Sequence, residues 1–145
     1  MRRVFLLLLA LACFPSLAWA LDYRSVASVA VLYDAPSLQA KRLYVVGKYF
    51  PLEVIVDLDG WSRIRDSKGE LAWIEKKYLS DQRMVLVTSP LAEVRQLTDV
   101  KAPIVFKAEQ SVVLEFIENA SGGWAKVRHR DGQSGYIKIS QIWGT

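Results

Sequence analysis

The chain has 145 residues, of which 52% are hydrophobic and 23% charged, and its formal net charge is +4. This length suits one ordinary domain or two very small ones. Arg2 and Arg3 belong to a terminal leader, and the net charge of +2 that remains is too small and too evenly spread to neutralise a row of nucleic-acid phosphates. With one cysteine, Cys13, and one histidine, His129, the chain cannot build a four-ligand zinc site or, once the leader is removed, a cysteine–histidine nucleophile.

The first twenty residues predict a secretory signal peptide. A cationic start precedes the unbroken apolar run 4–14, Pro15-Ser16 ends that run, and the small-x-small motif at 18–20 predicts cleavage after Ala20. Because a membrane-spanning helix needs about 20 apolar residues, the run is too short for an anchor, and no transmembrane segment is expected in the mature chain. We therefore expect an exported protein, periplasmic or secreted, without disulfides.

A lipoprotein leader is the alternative, because Ala10-Leu11-Ala12-Cys13 is similar to a lipobox. Ala10 and Leu11 fit that motif poorly, and the cleavage site at Ala20 follows it, so cleavage as a signal peptide is favoured. The two hypotheses differ in whether the exported protein is anchored through Cys13.

Short strands separated by turns are predicted after the leader. Segments 52–56, 61–65 and 71–74 are rich in β-branched and aromatic residues and are too short for helices. Asp66-Ser67-Lys68-Gly69 predicts a tight hairpin, because its glycine can adopt the positive φ of such turns. A single 3₁₀ or helical turn is expected at 76–79, and no stretch has sustained helical periodicity.

The second half of the chain repeats the first. The motif Gly-Trp-x-(Arg/Lys)-(Ile/Val)-Arg occurs at 60–65 and again at 123–128, an offset of 63. Upstream the offset is 62, so that 52–55 match 114–117. One extra residue within 118–122 accounts for the change. The mature chain is therefore predicted to contain two copies of one small structural unit.

The same elements are expected in the second unit. They are a strand at 112–117, an Asp-Gly hairpin at 130–133 and a short turn at 139–142. Short strands with closely spaced turns favour small barrels. The predicted fold class is all-β, with a first domain at 21–82 and a second at 83–145.

The connection between the units, 84–88, is apolar and strand-like rather than rich in glycine and serine. Units of about sixty residues bury little surface when they stand alone. We therefore expect the two barrels to pack against each other, with this strand serving both. Trp143, near the chain end, is expected to pack in the core and close the second barrel.

A longer signature accompanies each central hairpin. The motif at 60–65 is followed by the turn, by Ala-Trp-Ile or Gly-Tyr-Ile, and by a closing Leu or Ile. Together these features resemble the bacterial SH3-like domain family, which usually has Asn-Val-Arg-x-Gly-Pro-Ser where this chain has residues 31–37. The family's usual glycine is absent at the positions of Val46 and Ala108 themselves. The resemblance covers nearly all of 22–143.

That resemblance implies two tandem small SH3-like barrels that bind cell-wall peptides, peptidoglycan or proteins, often beside an enzyme, without catalysis. Strand alternation should place Ser62 and Ile64 inside and their neighbours outside, with Trp73 beside Arg63 if Ile64 faces Ala72. An aromatic ring beside cations can hold a peptide carboxylate or an acidic sugar. The candidate ligand-binding residues are Trp61, Arg63, Arg65 and Trp73 in the first unit and Trp124, Lys126, Arg128 and Tyr136 in the second.

Trp61 and Trp124 have an alternative role, which is to fill the space beneath a loop or the neighbouring barrel. Tyr33 and Arg95 occupy equivalent strand positions but differ in type. A shared ligand contact is therefore not expected there, and both side chains are predicted to be solvated.

Acidic residues offer no convincing catalytic pair. Glu53 and Glu115 are expected on the exposed side of half-buried strands. Asp57 and Asp59 have no matching pair in the second unit, so a turn is predicted there rather than acid–base chemistry. His129 aligns with Asp66 at a hairpin tip, where a solvated turn residue is expected.

The sequence favours a binding module over an enzyme. We expect an exported, non-enzymatic protein without a cofactor that recognises cell-wall peptide, peptidoglycan or an extended peptide in shallow aromatic grooves. Two sites in tandem would add avidity. The alternative is a structural or interaction protein whose aromatic faces are buried against a larger envelope protein. No nucleophile–base pair can be assembled, and no nucleic-acid partner is expected.

Overall fold

The structure is a computed structural model that describes residues 20–145. In this part of the chain, fourteen strands form two seven-stranded antiparallel sheets, and the only helical elements are two 3₁₀ turns. The predicted all-β class is confirmed. The predicted leader, with Cys13, lies outside the described residues except for Ala20. Among the residues from 20 onward, no helix is long and apolar enough to cross a membrane.

The first unit contains seven strands in the order β3-β2-β6-β5-β4-β1-β7. A 3₁₀ turn at Lys76–Tyr78 joins the sixth strand to the seventh, as the sequence predicts. The strands are β1 (Asp22–Val26), β2 (Ala30–Tyr33), β3 (Arg42–Val46), β4 (Pro51–Leu58), β5 (Trp61–Arg65), β6 (Leu71–Glu75) and β7 (Leu79–Ser80).

The second unit repeats this arrangement in the order β10-β9-β13-β12-β11-β8-β14. Its 3₁₀ turn spans Ile139–Gln141, at the position equivalent to the first. The strands are β8 (Met84–Val87), β9 (Leu91–Arg95), β10 (Ile104–Glu109), β11 (Val113–Ala120), β12 (Trp124–Arg128), β13 (Ser134–Lys138) and β14 (Ile142–Trp143).

Each sheet folds over its own hydrophobic core. In the first unit, Val46 on one edge strand and Leu79 on the other pack into the same cluster. In the second unit, Ala108 and Ile142 occupy the corresponding edge strands and also share one cluster. Because both edges of each sheet reach a common interior, each unit forms a small barrel-like structure with its own core.

The connecting strand serves both barrels only in part: it is hydrogen-bonded within the second unit, whereas its outward Met84 also borders Lys48 and Tyr49 of the first unit. Strand β8 pairs only with β11 and β14, both in the second unit. It corresponds to β1 of the first unit, which the sequence analysis did not predict. Val85 and Val87 enter the second core, while Met84 and Leu86 on the opposite side of the strand are each only 7% exposed. Strand β8 is therefore apolar on both faces for two reasons. One face packs into the second core, and the other face is covered by residues outside that core.

The central hairpins follow the predicted alternation and register. Ser62 and Ile64 are fully buried, and Ile64 lies opposite Ala72. Gly69 has a φ of 83°, so the hairpin uses the left-handed conformation that favours glycine. The extra residue of the second unit lies in the turn before β12, which has three residues where the turn before β5 has two.

One arginine ties the two units together. The guanidinium of Arg83 lies 5.5 Å from the Tyr23 ring centroid and 5.0 Å from that of Phe116, and its Nη2 donates a hydrogen bond of 2.8 Å to the Gly144 carbonyl. Trp143 packs edge-on against Tyr23, with ring centroids 5.3 Å apart. Trp143 therefore contacts the first unit and does not close the second barrel, because the first unit covers the outer side of β14.

Candidate functional site

A row of side chains crosses the outer face of the first sheet. Cα pairing places Arg42 beside Tyr33, Tyr33 beside Trp73, and Trp73 beside Arg63. Paired residues of an antiparallel ladder project from the same face. We call these four residues the outer row. The predicted neighbourhood of Arg63 and Trp73 is confirmed.

Trp61 extends this aromatic cluster. Its ring meets the Tyr33 ring edge to face, with centroids 5.5 Å apart and planes at 84°. Tyr33 is only 5% exposed, so the prediction of a solvated side chain is wrong. Trp61, Trp73 and Arg63 are half-buried. The first unit thus presents a partly open aromatic surface with Arg42 and Arg63 at its two ends.

The second unit has a different row at the equivalent place. Lys126 lies opposite Tyr136 as predicted, and Tyr136 is paired with Arg95. Arg95 is not solvated as predicted: it bonds the Glu93 carboxylate and donates a hydrogen bond of 2.7 Å to the Ala102 carbonyl. This arginine is therefore neutralised within its own unit.

Trp124 is more deeply covered than its counterpart in the first unit. It is only 7% exposed and lines a cavity of about 190 Å³, together with Val100 and Lys138. The Lys138 ammonium lies 6.0 Å from the centre of the Trp124 ring. At Trp124 the structure thus agrees with the alternative prediction, in which the ring fills space beneath a loop.

Arg65 and Arg128 are engaged in equivalent ion pairs. Arg65 Nη1 lies 3.2 Å from Glu53 Oε2, and Arg128 donates two hydrogen bonds of 3.0 and 3.1 Å to Glu115. The hydrogen bond and the charge of Glu115 raise the pKa of Arg128. Glu53 is only 7% exposed, so its predicted exposure is wrong: the arginine partner makes its burial tolerable. The first role of both arginines is therefore to stabilise their hairpins through these ion pairs, and any contact with a ligand is secondary.

The turn predicted at Asp57 and Asp59 is confirmed at Asp59, which lies between β4 and β5, and is wrong at Asp57, which lies within β4. The Asp57 carboxylate accepts a hydrogen bond of 2.5 Å from the Ser62 hydroxyl and lies 3.4 Å from Arg24 and 3.5 Å from Lys76. The Ser62 hydrogen bond, followed by the two cations, lowers the pKa of Asp57 against the opposing effect of burial. A carboxylate held anionic in this way is an ion-pair acceptor and lacks the raised pKa that a general acid needs at neutral pH.

Comparison with known families decides the identity of the repeat. The sequence profile described as "Bacterial SH3 domain" matches the chain twice, at 26–81 and 89–144. The chain belongs to the bacterial SH3 domain family. Bacterial SH3 domains are binding modules, and peptidoglycan is often their ligand. The first match begins at Val26, the last residue of β1, and the second begins at residue 89, after the end of β8. Most of β1 and all of β8 therefore lie outside the matched regions.

Three solved structures are similar to this chain at low sequence identity. NlpC2 and NlpC1 from Trichomonas vaginalis each have 14% identity and a TM-score of 0.40, over 87% of this chain and 49% and 46% of theirs. An NlpC/P60 family protein from Bacillus cereus has 13% identity and a TM-score of 0.38, over 83% of this chain and 55% of its own. The chain thus spans about half the length of these proteins. No curated protein matches the sequence significantly.

Both bacterial SH3 domains also have a groove beside the hairpin tip that the sequence analysis missed. In the first domain Tyr44 donates a hydrogen bond of 2.7 Å to Asp66, whereas in the second the Phe106 ring lies 5.6 Å from the His129 ring. Burial, and then the Asp66 hydrogen bond and charge, raise the pKa of Tyr44. The sequence did contain a signal for this groove, because two positions of the repeat change together between the units. A hydroxyl and its acceptor in one unit are replaced by two rings in the other.

Proposed function

We propose that this protein is an exported, non-enzymatic binding module that holds an extended acidic ligand of the cell wall, such as peptidoglycan or its peptides, on the outer row. The observation that supports this most strongly is the pair of half-buried aromatic and cationic neighbours, Trp73 and Arg63, at the centre of the first sheet. Within residues 20–145, neither Arg42 nor Arg63 forms an ion pair with a carboxylate. Their charges are therefore available to a ligand.

The spacing of the row limits the ligand. Three strand-to-strand steps separate Arg42 from Arg63, which corresponds to roughly 14 Å at about 4.8 Å per step. An extended peptide advances about 3.3 Å per residue, so it would cover this span with about four residues. The ligand best suited to the row is an extended chain with acidic groups about four residues apart and a flat middle that lies on Trp73.

The first unit is the better binding unit. In the second unit the counterpart of Arg42 is Ile104, and Arg95 is already bonded to Glu93. Lys126 is also paired across the sheet with Glu118, which lowers the positive potential at that end of the row. A ligand with acidic groups is therefore expected to bind the first sheet more tightly than the second.

Pelleting with purified peptidoglycan sacculi tests the proposal. We expect the purified protein to sediment with sacculi, and Arg63→Ala to weaken the binding about tenfold, the usual loss for a charged hydrogen bond. Trp73→Ala should weaken it by a similar factor, and rising salt should weaken the parent protein. Lys126→Ala, the matched change in the second unit, should retain most of the binding. Folded protein that stays in the supernatant, or equal losses in both units, would contradict the proposal.

A protein partner is the second candidate, and one observation favours it. Strand β3 is an edge strand, and its Leu43 and Val45 are 40% and 62% exposed. An edge strand with apolar side chains can accept a further strand from another chain. If this candidate is right, Val45→Lys should abolish capture of an envelope protein, whereas the sacculus assay should be negative for the parent protein.

A further inference from the structure

Residues of both units line a solvent-open cavity that the fold of either unit alone would not create. It has a volume of about 230 Å³. Lys48 and Tyr49, which follow β3 in the first unit, line one side, and Met84, Glu115 and Arg130 of the second unit are among those that line the other. We call it the junction cavity. It is separate from the outer row, to which none of these residues belongs.

The charges of the junction cavity are unbalanced. Both oxygens of Glu115 accept hydrogen bonds from Arg128, so this carboxylate is already neutralised. Lys48 and Arg130 are exposed, and no carboxylate of the described chain, 20–145, forms an ion pair with either. Two positive charges are therefore left at the wall of one small, solvent-open cavity, which favours an anionic occupant.

The internal repeat shows which of these residues the fold does not require. The Glu115–Arg128 pair recurs in the first unit as Glu53–Arg65, so it belongs to the common structure. The cationic and aromatic residues of the cavity have no such recurrence. The counterparts of Lys48, Tyr49 and Arg130 in the other unit are Gln110, Ser111 and Ser67. The residues that distinguish the junction cavity are thus the ones that the barrel itself can replace.

Tyr49 adds a second, independent observation. Its φ is 72°, and its counterpart Ser111 has a φ of 73°, so the left-handed backbone belongs to the fold. A bulky aromatic side chain is unfavourable in this conformation, which glycine, asparagine or a small residue adopts more readily. At this costly position the ring lines the cavity and lies 4.9 Å from the Lys48 ammonium. The contact places the lysine charge at the cavity wall.

We infer that the junction cavity binds the free carboxylate end of a short peptide whose last side chains are small and apolar. Lys48 and Arg130 bind the carboxylate, while Tyr49, Met84 and Val113 provide an apolar surface for the side chains. The volume lies below the range of about 300–1,000 Å³ that suits drug-sized ligands, so the site accommodates only the end of a chain. This site and the outer row can each fail without the other.

Met84 provides a direct reporter for the test. The chain has two methionines, Met1 and Met84, so a protein labelled at the methionine methyl groups gives one signal from the cavity wall. The probes are N-acetyl-alanyl-alanine, the same peptide with a C-terminal amide, and inorganic phosphate. We expect the free acid to shift the Met84 signal saturably, and the amide and phosphate to bind at least tenfold more weakly. No saturable shift with the free acid, or an affinity for the amide or for phosphate equal to that for the free acid, would overturn the inference.

The repeat supplies variants that the fold already accepts. Lys48→Gln and Arg130→Ser each introduce the residue found at the equivalent position of the other unit. Each is expected to raise the Kd of the free acid about tenfold while the circular dichroism spectrum stays unchanged. Arg42→Gln, in the outer row, serves as the control and should leave this Kd unchanged. An unchanged Kd in both cavity variants, or an equal loss in the control, would show that the charges do not form a site.

Discussion

A single carboxylate, that of Asp66, connects two parts of the first barrel. Its Oδ1 accepts hydrogen bonds of 2.9 Å from the backbone N–H groups of Lys68 and Glu70, and its Oδ2 accepts one of 2.7 Å from the Tyr44 hydroxyl. The carboxylate is only 6% exposed and has three donors, which compensates for its loss of water. One side chain thus shapes the hairpin tip and fastens it to β3.

Tyr44→Phe should make the protein less stable at neutral pH by about 1–2 kcal/mol, because it removes a buried hydrogen bond and leaves an Asp66 oxygen without its donor. The raised pKa of Tyr44 means that the folded chain holds the phenol proton more tightly than the unfolded chain. Its contribution is therefore complete below the ordinary tyrosine pKa of 10.0 and declines as the pH rises beyond it. Urea denaturation across this range measures the difference.

Comparing the parent protein with the Tyr44→Phe variant separates the contribution of Tyr44 to the free energy of unfolding from that of the other tyrosines. Phe106 already occupies the equivalent position of the second unit, so the fold accepts the ring without its hydroxyl. The stability difference between the parent and Tyr44→Phe should shrink above pH 10, since the unfolded parent is stabilised by ionising this phenol while the folded parent still holds its proton, and the variant has no phenol there. A difference that stays constant with pH would show that the hydroxyl is not held as described.

At the scale of the strands, the two barrels differ in how closely two of their strands cross. A Cβ built on Gly135 in β13 would lie 2.6 Å from the Arg95 carbonyl oxygen and 2.8 Å from Val94 Cγ1. The first barrel has Ala72 at the equivalent position of β6, buried to 3% exposure. Strands β9 and β13 of the second barrel therefore approach each other more closely than β2 and β6, the equivalent strands of the first barrel.

Gly135→Ala should destabilise the second barrel by about 1–3 kcal/mol, because the new methyl group meets backbone atoms and the strands must move apart. Ala72→Gly is the matched control, and its expected cost of about 1–2 kcal/mol comes from chain entropy and from the loss of a buried methyl group. Urea denaturation gives both values. If Gly135→Ala were neutral or stabilising, the close crossing of β9 and β13 would be wrong.

On the scale of the whole molecule, the junction between the units depends on Arg83. Its guanidinium lies between the rings of Tyr23 and Phe116, one from each unit, and bonds the Gly144 carbonyl. Burial, as the first cause, raises the pKa of Tyr23, consistent with a ring that the other unit shields from water. The junction also includes the edge-to-face contact of Tyr23 with Trp143. These contacts orient the two sheets and shape the cavity between them.

Arg83→Ala should cost about 2–3 kcal/mol, because it removes two cation–π contacts and a charged hydrogen bond. With the junction weakened, we expect the two units to tumble more independently, which nitrogen-15 relaxation measures directly. Arg42→Ala, at an exposed position, should change stability by less than about 0.5 kcal/mol and leave the relaxation unchanged. Equal relaxation in the parent and Arg83→Ala proteins would show that other contacts fix the junction.

The sequence by itself determined the features that depend on neighbours along the chain. The duplicated motif, the Asp66 and Asp131 turns, the alternation around Ile64 and the pairing of Arg63 with Trp73 all follow from local patterns and hairpin register. Alternation fixes the direction in which a strand residue points, whatever lies above it. The signal peptide, the domain boundaries and the ligand-binding roles of the eight candidate residues stay predictions.

Only the tertiary structure decided what covers each outward side chain. Trp61 covers Tyr33, Arg65 covers Glu53, and the first unit partly covers Trp143. The same holds for the apolar outer side of β8 and for the junction cavity, whose walls come from both units. The physical reason is that covering is set by packing between segments distant in the chain, and strand periodicity carries no information about that packing.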